Sequence, residues 1–368
     1  MSTTTPASPT EAVVTDAGGR ATQPRRARFR LSGWTRLLWP AVALALILLF
    51  NFIRTPNFFQ LDVVNGQLRG YVITILDLGT PVMLLALGMT LVIATGGIDL
   101  SVGAVMAITG AVASVLIVRP PDSALSAVNL GGSMTAIFAF SLGIALLCGL
   151  WNGVLVALVG IQPIIATLIL MVSGRGVAQL ITAGQIVNPR DPSFAFLAGG
   201  TLFMLPFTIT LVAAMALIAL VLTRGTALGL FLESVGNNPR ASRYSGVNAR
   251  LVKLLAYVFS GFCAGLAGLI ATADIMAADA NNTGLYLELD AILAVSIGGT
   301  ALTGGRFSLA GSLIGALVIQ SLTTTLLAQD VQREVDLMIK AGVVIVVCLL
   351  QSETFRARLV RAVRRTPA

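Results

Sequence analysis

From residue 37 onward the chain reads as long apolar runs separated by short polar stretches. Ten runs stand out, at residues 37–53, 71–95, 101–118, 134–159, 161–182, 205–223, 251–273, 287–303, 307–328 and 337–351. Each approaches the roughly 20 residues that a helix needs to cross a bilayer. The second run carries Asp77, the eighth is broken by glycines and the tenth is short. Residues 1–36 are polar, rich in Ser, Thr, Pro and Ala, and end in Arg20, Arg25, Arg26, Arg28, Arg30 and Arg36. That composition predicts a disordered tail. The run at 37–53 also has the length of a signal-peptide core. Asn51-Phe-Ile-Arg54 follows it in place of a small-residue cleavage site, so it reads as the first membrane helix. The predicted fold is all-α, a polytopic membrane bundle of about ten helices.

Composition supports that reading. Of 368 residues, 56% are hydrophobic and 11% charged, with a mean hydropathy of +0.90. A soluble domain carries about 25% charged residues. There is no histidine, which excludes histidine-based zinc sites, Ser-His-Asp triads and histidine proton relays. Cys148, Cys263 and Cys348 lie inside apolar runs without C-x-x-C spacing and read as packing residues. No metal site, cofactor site or catalytic group is expected in this chain. No G-x-x-x-x-G-K-[ST] motif occurs, so no Walker-type nucleotide site is expected either.

The net charge of +8 is almost all arginine, since Lys253 and Lys340 are the only lysines. The charges cluster at the two ends and in one loop. That placement speaks for membrane topology and against nucleic acid. With the N-terminus inside and ten alternating spans, seventeen basic residues fall on the cytoplasmic side and five on the other. The positive-inside rule then puts both termini in the cytoplasm. The expected organisation is a basic tail (1–36), a transmembrane domain (37–352) with its largest cytoplasmic loop at 224–250, and a second basic tail (353–368).

Small residues recur at helix-packing spacing: Gly149-Leu-Trp-Asn-Gly153, Gly261-Phe-Cys-Ala-Gly265 and Gly311-Ser-Leu-Ile-Gly315. In lipid this spacing lets backbones approach closely. Gly96-Gly-Ile-Asp-Leu-Ser-Val-Gly103 and Gly298-Gly-Thr-Ala-Leu-Thr-Gly-Gly305 are loosely alike, and each precedes a helix rich in small residues. An inverted repeat would place them in opposite senses.

Three sets of polar residues are candidates for mechanism. In Thr95-Gly-Gly-Ile-Asp-Leu-Ser-Val-Gly103 the paired glycines end one helix, and Asp99 or Ser101 suits the cap of the next. The segment reads either as a capped turn or as a helix break lining a path for a polar solute. In the loop 224–250, Asn238 suits an N-cap, Pro239 a first helical position and Gly246 a left-handed stop. The short helix so outlined cannot bury a core alone. It is either a solvated positive loop or a surface, with Arg240, Ala241, Arg243 and Tyr244, that fits a protein groove. Asp77, Arg175, Glu288, Asp290 and Lys340 are ionisable groups within or near spans, where charge is costly. Arg175 lies in the outer half of its span and is placed to snorkel to the surface.

The run Ala86-Leu-Gly-Met-Thr-Leu-Val-Ile-Ala-Thr-Gly-Gly-Ile-Asp-Leu-Ser-Val-Gly103 resembles the hallmark of permease subunits of monosaccharide ABC importers, the ribose, xylose, galactose and galactofuranose systems. Asn152-Gly through Gln162-Pro-Ile-Ile-Ala-Thr-Leu168 with Arg175-Gly176 is similar to that family too. So are Gly236 to Gly246, and Ala294-Val-Ser-Ile-Gly-Gly-Thr300 with Gly304-Gly-Arg306. The detail at 86–110 and 173–187 looks closest to the galactofuranose type.

The resemblance implies a type II importer fold and a multi-pass protein of the bacterial inner membrane. It further implies two paired permeases, alike or homologous, with two ATP-binding-cassette subunits that hold ATP and Mg. A periplasmic or lipid-anchored sugar-binding protein would sit above. It assigns coupling to the ATPase to Glu233, Gly236, Asn237, Asn238, Pro239, Arg240, Ala241, Arg243, Tyr244, Ser245 and Gly246. The expected path lies near Asp99, Ser101, Asn152 and Gln162, although Asn152 and Gln162 also suit plain interhelical hydrogen bonds. The alternative function is an ion-coupled secondary transporter of a small polar solute. A membrane enzyme or a scaffold fits the residues less well.

Overall fold

The computed structural model describes residues 34–351 apart from Asn65, Ser126, Asp330 and Val331. The tail expected over 1–36 lies outside them except for its last three residues, which begin the first helix; the tail at 353–368 lies outside them entirely.

All ten expected spans are helical. Helix α1 runs Trp34–Arg54. A hairpin of β1 (Asp62–Val64) and β2 (Gln67–Arg69) follows. The second span is two helices, α2 (Tyr71–Leu78) and α3 (Thr80–Ala94), bent by 47°. The sequence pattern showed no such bend. Gly79 sits between the pieces and Pro81 opens the second, so the backbone hydrogen-bond ladder is interrupted there. Next come α4 (Val102–Val118), α5 (Met134–Val154) with a π-helical turn at Leu155–Val159, and α6 (Pro163–Ile181). A short α7 (Pro192–Gly199) and a hairpin of β3 (Thr201–Leu202) and β4 (Leu205–Pro206) precede α8 (Phe207–Leu220). Two short helices, α9 (Leu228–Asn237) and α10 (Pro239–Tyr244), then lead into α11 (Ala249–Ile275). The chain ends in α12 (Leu287–Ile297), α13 (Leu309–Ala328) and α14 (Arg333–Gln351).

Among the described residues six helices are long and apolar enough to cross a membrane, and seven when α2 and α3 count as one. The other three spans fall short for different reasons. Helix α4 has 17 residues. Helix α14 has the length, but Glu334, Asp336 and Lys340 crowd its first half. Helix α12 has only 11 residues, a rise of roughly 16 Å, about half of a bilayer core. The eighth span therefore ends at Ile297 rather than 303, because the backbone leaves the helix at Gly298-Gly299, where Gly299 takes a left-handed φ of 83°.

Helix α11 is the central post. It packs on α3, α4 and α5, while α12 and α13 pack on α3 and α6 on α4. Residues Val82 to Ala94 of α3 and Val102 to Leu116 of α4 are buried on every side, whereas α1 leaves Leu46, Phe52 and Ile53 exposed. A helix apolar all round belongs in the interior of a bundle, and an exposed apolar face suits lipid.

The glycine pairs do what their spacing predicts. A side chain built at Gly261 would lie 2.6 Å from the Ala145 carbonyl oxygen and 2.8 Å from the Gly149 Cα. Only glycine allows α5 and α11 to touch that closely. Gly311 and Gly315 of α13 meet Gly298 and Ala294 at α12 in the same way.

Candidate functional site

The break between α3 and α4 gathers several buried polar side chains, among them Asp99, Ser101, Asn152, Thr167 and Ser260. Asp99 is 1% exposed. Its Oδ1 accepts from the Ser101 amide at 3.0 Å, the Ser101 hydroxyl at 2.7 Å and Asn152 Nδ2 at 3.4 Å. Its Oδ2 accepts from the Ser260 hydroxyl at 2.9 Å. Asn152 Nδ2 also donates to Ser101 Oγ at 2.7 Å. No ion pair to Asp99 forms among the described residues. A buried carboxylate without a cation costs several kcal/mol unless hydrogen bonds offset it, and four donors surround this one. The sequence reading had Asp99 or Ser101 capping α4. Ser101 does hold the N-cap position, but neither side chain caps the helix amides. Asp99 folds back onto its own turn and across to α11 instead.

Two more helices hold the break. Thr167 of α6 accepts from the Leu100 amide at 3.1 Å, and the Tyr257 hydroxyl of α11 donates to the Ile98 carbonyl at 3.4 Å. Of the four expected path residues, Asp99, Ser101 and Asn152 converge here. Gln162 does not: it is exposed at the start of α6 and caps nothing. The π-helical turn and Gly160 at φ 87° turn Gln162 outward, and Thr167, five residues on, faces the break. Ser260, Tyr257 and Thr167 were missed in the sequence. The one available signal was that Tyr257 and Ser260 precede the Gly261-x-x-x-Gly265 packing face. Asn152 Oδ1 is buried with no partner among the described residues.

The second site is the α9–α10 segment. Asn238 Oδ1 accepts from the Arg240 and Ala241 amides, both at 3.0 Å, so Asn238 caps α10 as its sequence position predicts. Gly246 has the left-handed φ of 83° that ends it. Ser242 and Ser234 hydroxyls meet at 2.8 Å and tie α10 to α9. Helix α9 buries Leu232 and Val235 in the core. On α10, Arg240, Ala241, Arg243 and Tyr244 are exposed, Tyr244 by 93%. Pro239, Ser245, Asn237 and Asn238 are exposed too, and Glu233 is partly so.

The two sites join at Gly236. A side chain built there would collide with the Ala94 carbonyl at the end of α3 and with the Gly305 amide. The Gly305 amide itself donates to Ala94 O at 2.9 Å, and Gly304 lies against Gly96. The two glycine stretches that look alike in sequence therefore meet, and the last turn of α9 packs against their junction.

At the opposite end of the bundle, Arg175 reaches the loop between α11 and α12. Its Nη1 donates to the carbonyls of Ala280, Asn281 and Thr283 at 3.3, 3.2 and 2.6 Å, clasping the α11–α12 loop. In that loop the side-chain amide of Asn282, together with the amides of Asn281 and Asn282 and the charge of Arg175, holds the Asp279 carboxyl below its usual range. Asp290 pairs with Lys340 at 3.9 Å between α12 and α14. Asp77 and Asp274 border a separate cavity of about 220 Å³, where Thr208 donates to Asp77.

Comparison with known proteins adds a lineage to this geometry. A family model described as "Branched-chain amino acid transport system / permease component" matches residues 71–348. The galactofuranose transporter permease protein YtfT of Escherichia coli (strain K12) is 49% identical over 343 residues, covering 93% of this chain and 96% of its own. The fructose import permease protein FruF of Bifidobacterium longum is 38% identical over 325 residues, 86% of this chain and 88% of its own. The ribose import permease protein RbsC of E. coli (strain K12) is 32% identical over 330 residues, 89% and 97%. No solved structure matches the chain.

Proposed function

The chain belongs to the family of permease components of branched-chain amino acid transport systems, and on that footing we propose that it is the transmembrane permease of an ABC importer for a monosaccharide. It is a multi-pass protein of the bacterial inner membrane. The permeases for galactofuranose, fructose and ribose among its relatives support a sugar as the cargo. Energy comes from separate ATP-binding subunits, which hold ATP and Mg on their own residues, and a sugar-binding protein delivers the cargo. This chain contributes the conduit and no catalytic group.

One observation supports the coupling best: Gly236 packed against both Ala94 and Gly305 where they meet. In this reading the α9–α10 face is cytoplasmic and Tyr244 and Arg240 meet the ATPase. Movement of α10 passes through the Ser234–Ser242 contact to α9, and through Gly236 to both helix breaks at once. The buried Asp99, Ser101 and Asn152 then become lining when the break opens. The unpartnered Asn152 Oδ1 supports that role, because it can accept a sugar hydroxyl without first breaking a hydrogen bond. Gln162, already exposed, stands nearer the mouth.

The test is Gly236→Val in the full importer. ATP hydrolysis stimulated by the loaded binding protein should persist while sugar uptake falls at least tenfold. Uptake that stays in step with hydrolysis would rule out transmission through this joint.

A further inference from the structure

Beyond the transport reading, one basic cavity has no assigned occupant. It measures about 290 Å³ and lies between the π-helical end of α5, the start of α10 and the first turns of α11. Arg243, Arg250 and Lys253 border it, and no carboxylate does. None of the three forms an ion pair among the described residues. Three cations gathered round one cavity repel one another unless an anion sits between them. The N-terminal end of the long helix α11 adds its positive dipole to the same wall.

The opposite rim identifies the kind of anion. Leu158 and Val159 border the cavity and are 53% and 64% exposed. These apolar side chains end a helix long and apolar enough to span a membrane, and exposed aliphatic faces at that position suit acyl chains. A site with cations at one edge and lipid-facing aliphatic side chains at the other matches a phospholipid, with its phosphate in the cavity and its chains along α5. Basic pockets between transmembrane helices are a known way to hold anionic headgroups. A carboxylate from a protein partner would leave the aliphatic rim without a role.

We propose that Arg243, Arg250 and Lys253 hold the phosphate of an anionic phospholipid. Arg243 belongs to α10, so the lipid also fastens the base of the coupling segment to the bilayer surface.

The full-length chain in neutral detergent provides the test, with thermal unfolding as the readout during titration with phosphatidylglycerol, phosphatidylcholine of the same chain length, or inorganic phosphate. Phosphatidylglycerol should raise the midpoint saturably, and the other two should not. An equal rise with phosphatidylcholine would reduce the effect to acyl contacts and overturn the proposal. An equal rise with inorganic phosphate would overturn the lipid as occupant. The double variant Arg250→Gln/Lys253→Gln should shift half-saturation by roughly 30-fold, at about a fivefold loss for each cation near the surface. An unchanged half-saturation would refute the site. Should that variant fail to fold, Arg250→Lys/Lys253→Arg keeps both charges and should retain the response; its loss would contradict a phosphate-binding role. If the ATPase subunit abolishes the response by competition, the cations serve the protein contact and the lipid assignment falls.

Discussion

At the scale of single residues, Asp99 organises the break by accepting from Ser101, Asn152 and Ser260. Its removal leaves buried donors unpaired, at about 1–3 kcal/mol for each group left unsatisfied. Asp99→Ala is therefore expected to impair sugar uptake while membrane insertion persists, read by uptake assay beside immunoblot of the membrane fraction. Normal uptake would remove Asp99 from the path. Asp279 gives a pH prediction at the other end of the molecule. Its carboxyl is held below the usual range when folded, chiefly by Asn282. The order it confers on the 279–283 turn is thus complete above the ordinary aspartate pKa, and is lost as pH falls through the lower folded value. Protection of the amides in that turn, relative to the exchange rate of a free chain at the same pH, should fall only under acid, and Asp279→Asn should remove that loss of protection. Asp99 and Ser101 were legible because polar residues follow paired glycines. Ser260 and Tyr257 were not, since a hydroxyl inside an apolar run leaves no mark on hydropathy. Gln162 misled for a related reason: the π-helical turn before it rotates the chain, and hydropathy does not record that rotation.

At the scale of helices, crossings rest on glycine. Gly261→Leu forces α11 off Ala145 and Gly149, and overpacking of this kind costs about 1–3 kcal/mol. The thermal midpoint in detergent should fall clearly. Gly143→Ala, on the same α5 but with open space around it, should leave the midpoint nearly unchanged. Equal effects from both would mean that the crossing does not set stability. The helices could be read from the apolar runs, though only six or seven of them are long and apolar enough to cross a membrane, and the G-x-x-x-G pairs marked true contacts. The bend at Gly79 and the early end of α12 at Ile297 could not be read that way. Both depend on where the backbone hydrogen-bond ladder fails, and hydropathy averages over that.

At the scale of the molecule, the informative fact is that the break after α3 touches the break after α12, some two hundred residues later, with Gly236 packed against their junction. The resemblance of the two glycine stretches hinted at a relation, but periodicity within one helix carries no record of which distant turn it meets. In the proposed reading the chain is a passage that opens when α9 and α10 are moved from outside, and the driving force comes from another subunit. Reconstitution in liposomes measures this most directly: sugar uptake by the chain alone under an ion gradient, and by the chain with its ATPase and sugar-binding protein under ATP. Uptake only in the ATP-driven complex is the predicted result; uptake by the chain alone, driven by the ion gradient, would contradict it.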